Sequence, residues 1–549
     1  MAPCGFNGGF SCAQLDLHFA SLKPFISQNL RALRSLRAIP SDFSHSAKSS
    51  YHYNLTLSFT YTSLSLRNPV MVKTRSITLF LSCTALYFSS LAQDNIGIAG
   101  SNYSPTQTML LNPSSIVDSK AYIDIHLMGL SVYFHNNAGY LTKEGFNFFD
   151  QIKNPETIPG YAINMNRKNY YGLIDVGVQG PSATFHIKKS AFGIYTGIRS
   201  VTDLRGVPSE AINFGVYGWN YAEQAGNQYS MNNLKVNSLN WAEIGLTYGK
   251  IVSQNGYDLV TVGGSLKRLI GGAGGSIHLD EWTYALQDSV LQTFTVSGEY
   301  GLNYPAWNAG RGWGADIGFT WKRTLSDVTN YVPYSKQDGC RSCDYKFKFS
   351  AALVDIGRIR FDPPFYVNEF NETEGSEWSD FSATSAETAD GLEAEIENGL
   401  GLPTDAGPTK FNMWMPMALT AQFDYNLGYN IFVNSTLVAG APWNNTMAPQ
   451  RGSQIAVTPR FELKRFEAAI PVTLHEFKYP TVGAMLRLNS IIIGTDNLGA
   501  YLFNQDVYGA DFYFNIKYTI FKSRKCKKVK EKPVKLPKMK DGFVPCPKW

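Results

Sequence analysis

Between residues 120 and 521 the chain returns repeatedly to a period of two. In "WGADIGFTWKR", Trp313, Ala315, Ile317, Phe319 and Trp321 share one side, and Gly314, Asp316, Gly318, Thr320 and Lys322 share the other. In "WAEIGLTYGKIVSQNGYDLVTVGGSLKRL", Ala242, Ile244, Leu246 and Tyr248 oppose Glu243, Gly245, Thr247 and Gly249, and Asn255-Gly256 has the turn chemistry of a hairpin. The returning strand sets Val260, Val262 and Leu266 against Thr261, Gly263, Ser265 and Lys267. A last instance, "FYFNIKYTIF", puts Phe512, Phe514, Ile516, Tyr518 and Ile520 opposite Asn515, Lys517 and Thr519. A helix cannot keep such faces apart, because its side chains repeat every ~3.6 residues; extended strands can.

Soluble sandwiches alternate too, so the issue is which face is outside. In a sandwich the apolar face packs on a second apolar face; in a membrane barrel it meets lipid and the polar face lines the interior. The segments run about ten residues or longer, matching the ~9–11 residues of a tilted bilayer strand. Aromatic residues gather towards segment ends, as in "NYYGL", "HLMGLSVYF" and "MWMPMAL", where interfacial girdles lie. After Gln93 no stretch is long and apolar enough for a spanning helix, so a membrane protein with this sequence is all-β. The expectation is a transmembrane antiparallel β-barrel of about 14 strands. Candidate strands are 121–134, 170–178, 181–188, 190–201, 239–252, 257–270, 292–301, 312–323, 345–360, 414–425, 429–440, 454–463, 466–475, 482–493 and 510–521. Those are fifteen segments where an even number is expected, so one is surplus or one is missing.

The chain ahead of the barrel has its own grammar. "MVKTRSITLFLSCTALYFSSLAQDN" supplies a basic region at Lys73 and Arg75, an apolar core from Ile77 to Phe88, and small residues Ser90 and Ala92 before a cleavage point. It reads as a secretory signal peptide over 71–92, with a mature chain that starts at Gln93. Residues 1–70 lack a sustained period and read as an upstream extension assigned in error, with Met71 the true start. The competing reading is an Arg-rich targeting prefix around "LRALRSLRAIP". Residues 93–119 carry too little alternation for a wall strand, and their Asn, Ser, Thr and Pro content suits local turns, as in a periplasmic or hatch segment folded among inward polar residues such as Asp175, Glu243, Asp316 and Lys517.

Charge is segregated. Residues 522–549 hold eleven Lys and Arg against two acids, and residues 1–92 hold eight against two. From totals of 49 and 44, residues 93–521 therefore keep 49 − 11 − 8 = 30 basic and 44 − 2 − 2 = 40 acidic side chains, net −10. Nucleic acid is excluded as a partner, since binding it needs a basic surface. The tail 522–549 reads as a solvated extension or as a docking element for a periplasmic or cell-wall partner. Residues 361–410, with twelve acids and one Lys, read as an acidic excursion from the wall. Counting strands back from the C-terminus puts that excursion at the inner end, against the tendency of long loops to face outward.

No catalytic constellation is present. His126, His186, His278 and His475 fall on separate strands, and "GGAGG" (271–275) lacks the Lys-Ser/Thr of a phosphate loop, reading as a flexible turn. No metal site and no cofactor are expected. Beyond Gln93 the cysteines are Cys340, Cys343, Cys526 and Cys546, all candidates for disulfides; "CRSC" (340–343) reads as a loop-tip disulfide over half a zinc site or a redox pair.

The order "GPSATFHIKKSAFGIYTGIRS" (180–200), "WAEIGLTYGK" (241–250), "VGGSLKRLIGGAGG" (262–275), "MPMALTAQFDY" (415–425) and "RLNSIIIGTDNL" (487–498) resembles an uncharacterised outer-membrane barrel family of Bacteroidota-type bacteria, over essentially all of 93–521. More distantly, "LLNPSS" (110–115) is similar to the Asn-Pro-Ala signature of long-chain fatty-acid transporter barrels, with Ser114 in place of the Ala; the related type IX secretion accessory barrel is a further likeness. These resemblances imply a cell outer-membrane barrel with an N-terminal hatch marked by Asn112, Pro113 and Ser114, not an enzyme. The implied function is a channel or transporter for small apolar ligands, or else a plugged structural or secretion-associated scaffold.

Overall fold

The computed structural model describes residues 94–143, 160–217, 221–287, 290–372, 376–378, 391, 394, 410–441, 447–502 and 506–522. The expectations for 1–70, the signal peptide 71–92, Cys526, Cys546 and nearly all of the basic tail lie outside these residues.

The alternating segments form one antiparallel sheet that closes on itself as a 14-stranded barrel. In chain order the wall strands are β1 (Ile123–Asn136), β2 (Asn169–Gln179 continued by Ser182–Ile187), β3 (Ser190–Pro208), β4 (Gln228–Asn255) and β5 (Asp258–Gln287). Next come β6 (Val290–Asn303 and Gly310–Thr324), β7 (Tyr345–Phe361, Phe365–Glu372 and Ser376–Trp378), β8 (Phe411–Trp414 and Ala418–Gly428) and β9 (Ile431–Gly440). The series ends with β10 (Gln454–Glu462), β11 (Phe466–Ala469 and Val472–His475), β12 (Tyr479–Val482 and Ala484–Leu488), β13 (Ile491–Thr495) and β14 (Gly509–Ile520). Closure is β1 on β14, with Ile123 opposite Ile520 and His135 opposite Gly509.

The surplus fifteenth segment is resolved by three corrections. Segments 170–178 and 181–188 are one strand interrupted at Gly180-Pro181, where Pro has no N–H to give the ladder; both halves pair with β1. Segments 292–301 and 312–323 are likewise one wall strand, pairing in turn along β5. Segment 482–493 is instead two strands, because Asn489, at φ 52°, turns the chain back. That missed hairpin also misplaced the acidic excursion: β7 runs on to Trp378 against β6, and the connection to β8 leaves from the end opposite both Ile123 and Ile520. "GGAGG" is not a turn but the middle of β5.

At the end holding Ile123 and Ile520, the inner end, the described connections are tight turns such as Tyr429-Asn430, both left-handed at φ 51° and 64° as a two-residue hairpin requires, apart from the longer segment 325–344 between β6 and β7. At the outer end β4 and β5, with 28 and 30 residues, overshoot a bilayer crossing of ~10 residues, so the sheet projects beyond the barrel proper.

The parity is as the sequence requires. Ile317 is 55% exposed and Leu246 60%, whereas Asp316, Thr320, Glu243 and Lys517 are buried. An exterior of Leu, Ile, Val and aromatic side chains around a polar interior is solvated by hydrocarbon, not by water. The inward side chains are buried because the lumen is filled.

Candidate functional site

The filling at the inner end is the chain's own segment 94–119. It winds through two short helical turns, Ile96–Ala99 and Pro105–Thr108, and a 3-10 turn, Pro113–Ile116. Pro113 suits the first position of a turn, and Asn112 caps it by accepting hydrogen bonds from Ser114 N (3.0 Å) and Ser114 Oγ (2.8 Å). Asn112 Nδ2 donates to the Phe319 carbonyl (3.2 Å), and Ser114 and Thr320 share a hydroxyl bond of 2.7 Å. The cradle for this turn is glycine: a Cβ on Gly263 would lie 2.6 Å from Ser114 N and 2.7 Å from the Pro113 carbonyl oxygen. The structure thus brings Asn112, Pro113 and Ser114 together against β5 and β6.

Polar side chains from most of the wall hold the segment. Thr106 donates to Asp124 (2.6 Å), which also pairs with Lys517 (3.1 Å). Ser101 donates to Glu467 (2.8 Å), Asn102 to Glu462 (3.1 Å), and the Ile96 amide to Asp496 (3.0 Å). Lys322 reaches Asp118 (3.1 Å), and Thr420 donates to the Leu111 carbonyl (2.7 Å). Carboxylates here are matched by backbone and side-chain donors, the condition under which charge tolerates burial.

Above the segment lies a charge cluster centred on Asp355. Val354 and Asp355 together face Asp316 alone, a β-bulge, and Asp355 takes φ 60°. The bulge turns the carboxylate inward. There it receives Lys267 (2.6 Å), Arg199 (2.7 Å) and Arg451 (3.0 Å), while the Asp355 amide donates to Asp316 (2.7 Å) and Lys267 also reaches Asp316 (2.7 Å). Arg451 comes from the outer-end connection between β9 and β10 and also pairs with Asp94 of the inner segment. Of the polar residues expected inside, Asp175 and Glu243 border this region and Asp316 belongs to it, whereas Lys517 sits at the inner end.

The same bulge breaks the wall. The β7–β8 ladder pairs Val354 with Ala418 and resumes at Arg358 with Trp414; across the gap stand Met415, Pro416 and Met417. At the gap lies a cavity of about 310 Å³ lined by Leu353, Ile356, Trp414, Met415, Met417 and Pro449, with Asp355, Asp203 and Lys235 among its polar wall groups. Beside it, the outer part of the lumen holds an apolar cluster, in which Leu239, Trp241, Leu269, Phe361, Phe411 and Met413 are buried together. The flat middle of β5 admits that cluster, since a Cβ on Gly274 would lie 2.5 Å from the Phe361 ring and 2.7 Å from Met413 Sδ. This is the reason for glycine in "GGAGG".

At the outer end His135 and His475 approach with ring centroids 6.0 Å apart, beside Tyr133 and Tyr171. His126 instead bonds to Gly180 and Asn515 near the inner end, and His186 to the Tyr122 carbonyl. Among the described residues no His, Cys, Asp and Glu group has the make-up of a metal site. The expected Cys340–Cys343 bridge does not form: Cys340 is disulfide-bonded and Cys343 is a free, buried thiol. The Cys343 amide donates to Asp118 (3.0 Å), which ties this cysteine to the inner segment. Burial, reinforced by the Asp118 carboxylate, pushes this thiol up to about 12.

The sequence puts Lys267 on the polar face of its strand but does not mark Asp355, Arg199 or Arg451. The available signal was the misfit in "ALVDIGRIRF", where alternation slips by one residue at Asp355.

A model of a family described as one of unknown function, DUF5723, matches residues 113–496. No curated protein is matched. Among solved structures, the toluene transporter TbuX of Ralstonia pickettii is 11% identical, with 76% of this chain and 93% of that one covered at a TM-score of 0.34. A deletion mutant of the monoaromatic hydrocarbon channel TodX is 9% identical, covering 78% and 97% at 0.34. A FadL homologue of Pseudomonas aeruginosa is 7% identical, covering 79% and 100% at 0.21.

Proposed function

The chain belongs to the DUF5723 family of unknown function, and from that premise we propose that it is an outer-membrane barrel that passes small apolar molecules, with residues 94–119 as a hatch closing its inner end. The observation that carries this reading is the 310 Å³ cavity at the β7–β8 gap, with its Met, Leu, Ile and Trp lining, directly beside the apolar cluster of the outer lumen. A pore for ions keeps a wet, polar lumen. Here a buried apolar cluster occupies part of the outer lumen, and the cavity beside it sets Leu, Ile, Met and Trp side chains against a smaller number of polar groups, the usual make-up of a site for an apolar ligand. The apolar exterior favours the outer membrane, in keeping with the resemblance to Bacteroidota-type barrels, and no catalytic role is proposed. The basic tail, by its charge, suits a salt-sensitive contact with a periplasmic or cell-wall partner; truncation after Phe521 should abolish that contact and leave the barrel folded.

Filling the cavity tests the reading. Met417→Trp should lower binding of naphthalene, followed by its fluorescence in proteoliposomes, while Ile317→Trp on the outer face should not. Equal binding by both variants would refute the cavity as the site. A second reading, a permanently plugged scaffold, draws on the number of hydrogen bonds and ion pairs that hold the inner segment; naphthalene flux across vesicles carrying the protein distinguishes the two.

A further inference from the structure

The later part of the connection between β9 and β10 folds into the barrel instead of lying over its mouth. Residues 447–453 form a strap. The Met447 carbonyl accepts from Trp414 N (3.0 Å), Gln450 N donates to Asp203 (2.9 Å), and Ser453 N donates to Glu476 (3.2 Å). Ala448, Pro449 and Gln450 line the cavity at the wall gap. The next residue, Arg451, is buried, and its guanidinium joins two carboxylates that belong to different parts of the structure: Asp355 of the wall and Asp94 of the inner segment. Consecutive residues of one strap therefore touch both the cavity and the start of the hatch.

We propose that Arg451 is a positioning residue that latches the inner segment, and that the strap 447–453 transmits occupation of the cavity to this latch. The cavity half of the inference rests on the reading above; the latch half does not. Two features make the Asp94 side the one that releases. Asp355 keeps Lys267 and Arg199 when Arg451 leaves, so the wall bulge retains its counter-charges. Among the described residues Asp94 is held by side chains only through Arg451 and Gln454, the latter at 3.1 Å. In addition, Arg451 Nε is buried without a hydrogen-bond partner, so the latched state leaves one donor unsatisfied. An occupant that pushes on Ala448 and Pro449 binds better with the strap displaced, and by linkage it favours the unlatched hatch.

The test uses the full chain in proteoliposomes with Ala99→Cys, a buried position in the first turn of the hatch, and a membrane-impermeant maleimide; the protein without that change sets the background. Labelling should be slow, and naphthalene should accelerate it. Arg451→Gln should accelerate it about tenfold without naphthalene, within the range for directly coupled neighbours, and naphthalene should add little more. Arg451→Lys keeps the charge but puts one ammonium in place of the two guanidinium nitrogens that reach Asp94 and Asp355 separately, and should fall between. Circular dichroism and heat-modifiable migration separate these effects from misfolding. Labelling of Arg451→Gln at the parental rate would overturn the latch. Fast labelling of Arg451→Gln, with naphthalene bound but without effect on the parent, would overturn the transmission. Naphthalene that does not bind at all would overturn the cavity reading and leave the latch decided by Arg451→Gln alone.

Discussion

Asp355→Asn removes the central charge of the lumen with almost no change of shape. Asn is among the few residues that tolerate φ near 60°, so the bulge geometry survives and the charge alone is tested. Three cations converge on this carboxylate, but their losses differ. Lys267 keeps Asp316 at 2.7 Å, and Arg451 keeps Asp94. Among the described ion pairs Arg199 has Asp355 alone, at 2.7 Å, with its side chain 13% exposed. Stranding one buried charge costs about 3–5 kcal/mol, so the expected total is near that of one broken pair, about 4 kcal/mol, and not three times as much. Urea unfolding in lipid vesicles, read by heat-modifiable migration, should show the loss. Arg199→Gln combined with Asp355→Asn should recover part of it, because no unpaired cation remains. A variant as stable as the parent, or a double mutant with strictly additive losses, would refute the role assigned to Asp355.

Ile317→Arg puts a charge on the apolar exterior and should cost about 2–4 kcal/mol near the bilayer midplane in the same assay, whereas Ile317→Leu should be silent. Gly274→Ala should cost about 1–3 kcal/mol by forcing the Phe361 ring and Met413 apart from β5, while Gly256→Asn, in an open turn with φ 54°, should not destabilise. Alkylation proceeds through the thiolate, so Cys343, pushed up to about 12, should react with iodoacetamide at pH 8 about a thousandfold more slowly than an ordinary thiol, and at normal speed once the protein is unfolded.

The barrel was legible because its wall obeys a local rule. Parity at Ile317, Asp316, Leu246 and Glu243 is set by the strand itself, and the sequence spells it out residue by residue. Strand count was less legible, since Pro181 interrupts a ladder without ending a strand, and Asn489 turns a strand that hydropathy carries straight through. The turn at Asn112, Pro113 and Ser114 could be anticipated from its chemistry. Its glycine cradle at Gly263 could not, because that contact joins residues far apart in the chain. For the same reason the Asp355 cluster escaped notice: Arg199, Lys267 and Arg451 look like ordinary inward or loop charges until closure brings β3, β5, β7 and the strap to one axis. "GGAGG" misled because glycine in a strand answers to what packs on it, here Phe361 and Met413.

Single-channel recording in planar bilayers tests the central claim, that the chain's own N-terminal segment closes a membrane barrel. The intact protein should be silent or nearly so, and deletion of residues 96–116, which removes the turn at Pro113 together with Ser101 and Thr106 and their bonds to Glu467 and Asp124, should open stable ion-conducting events and raise naphthalene flux. A deletion variant that folds, inserts and remains closed, with flux unchanged, would contradict it.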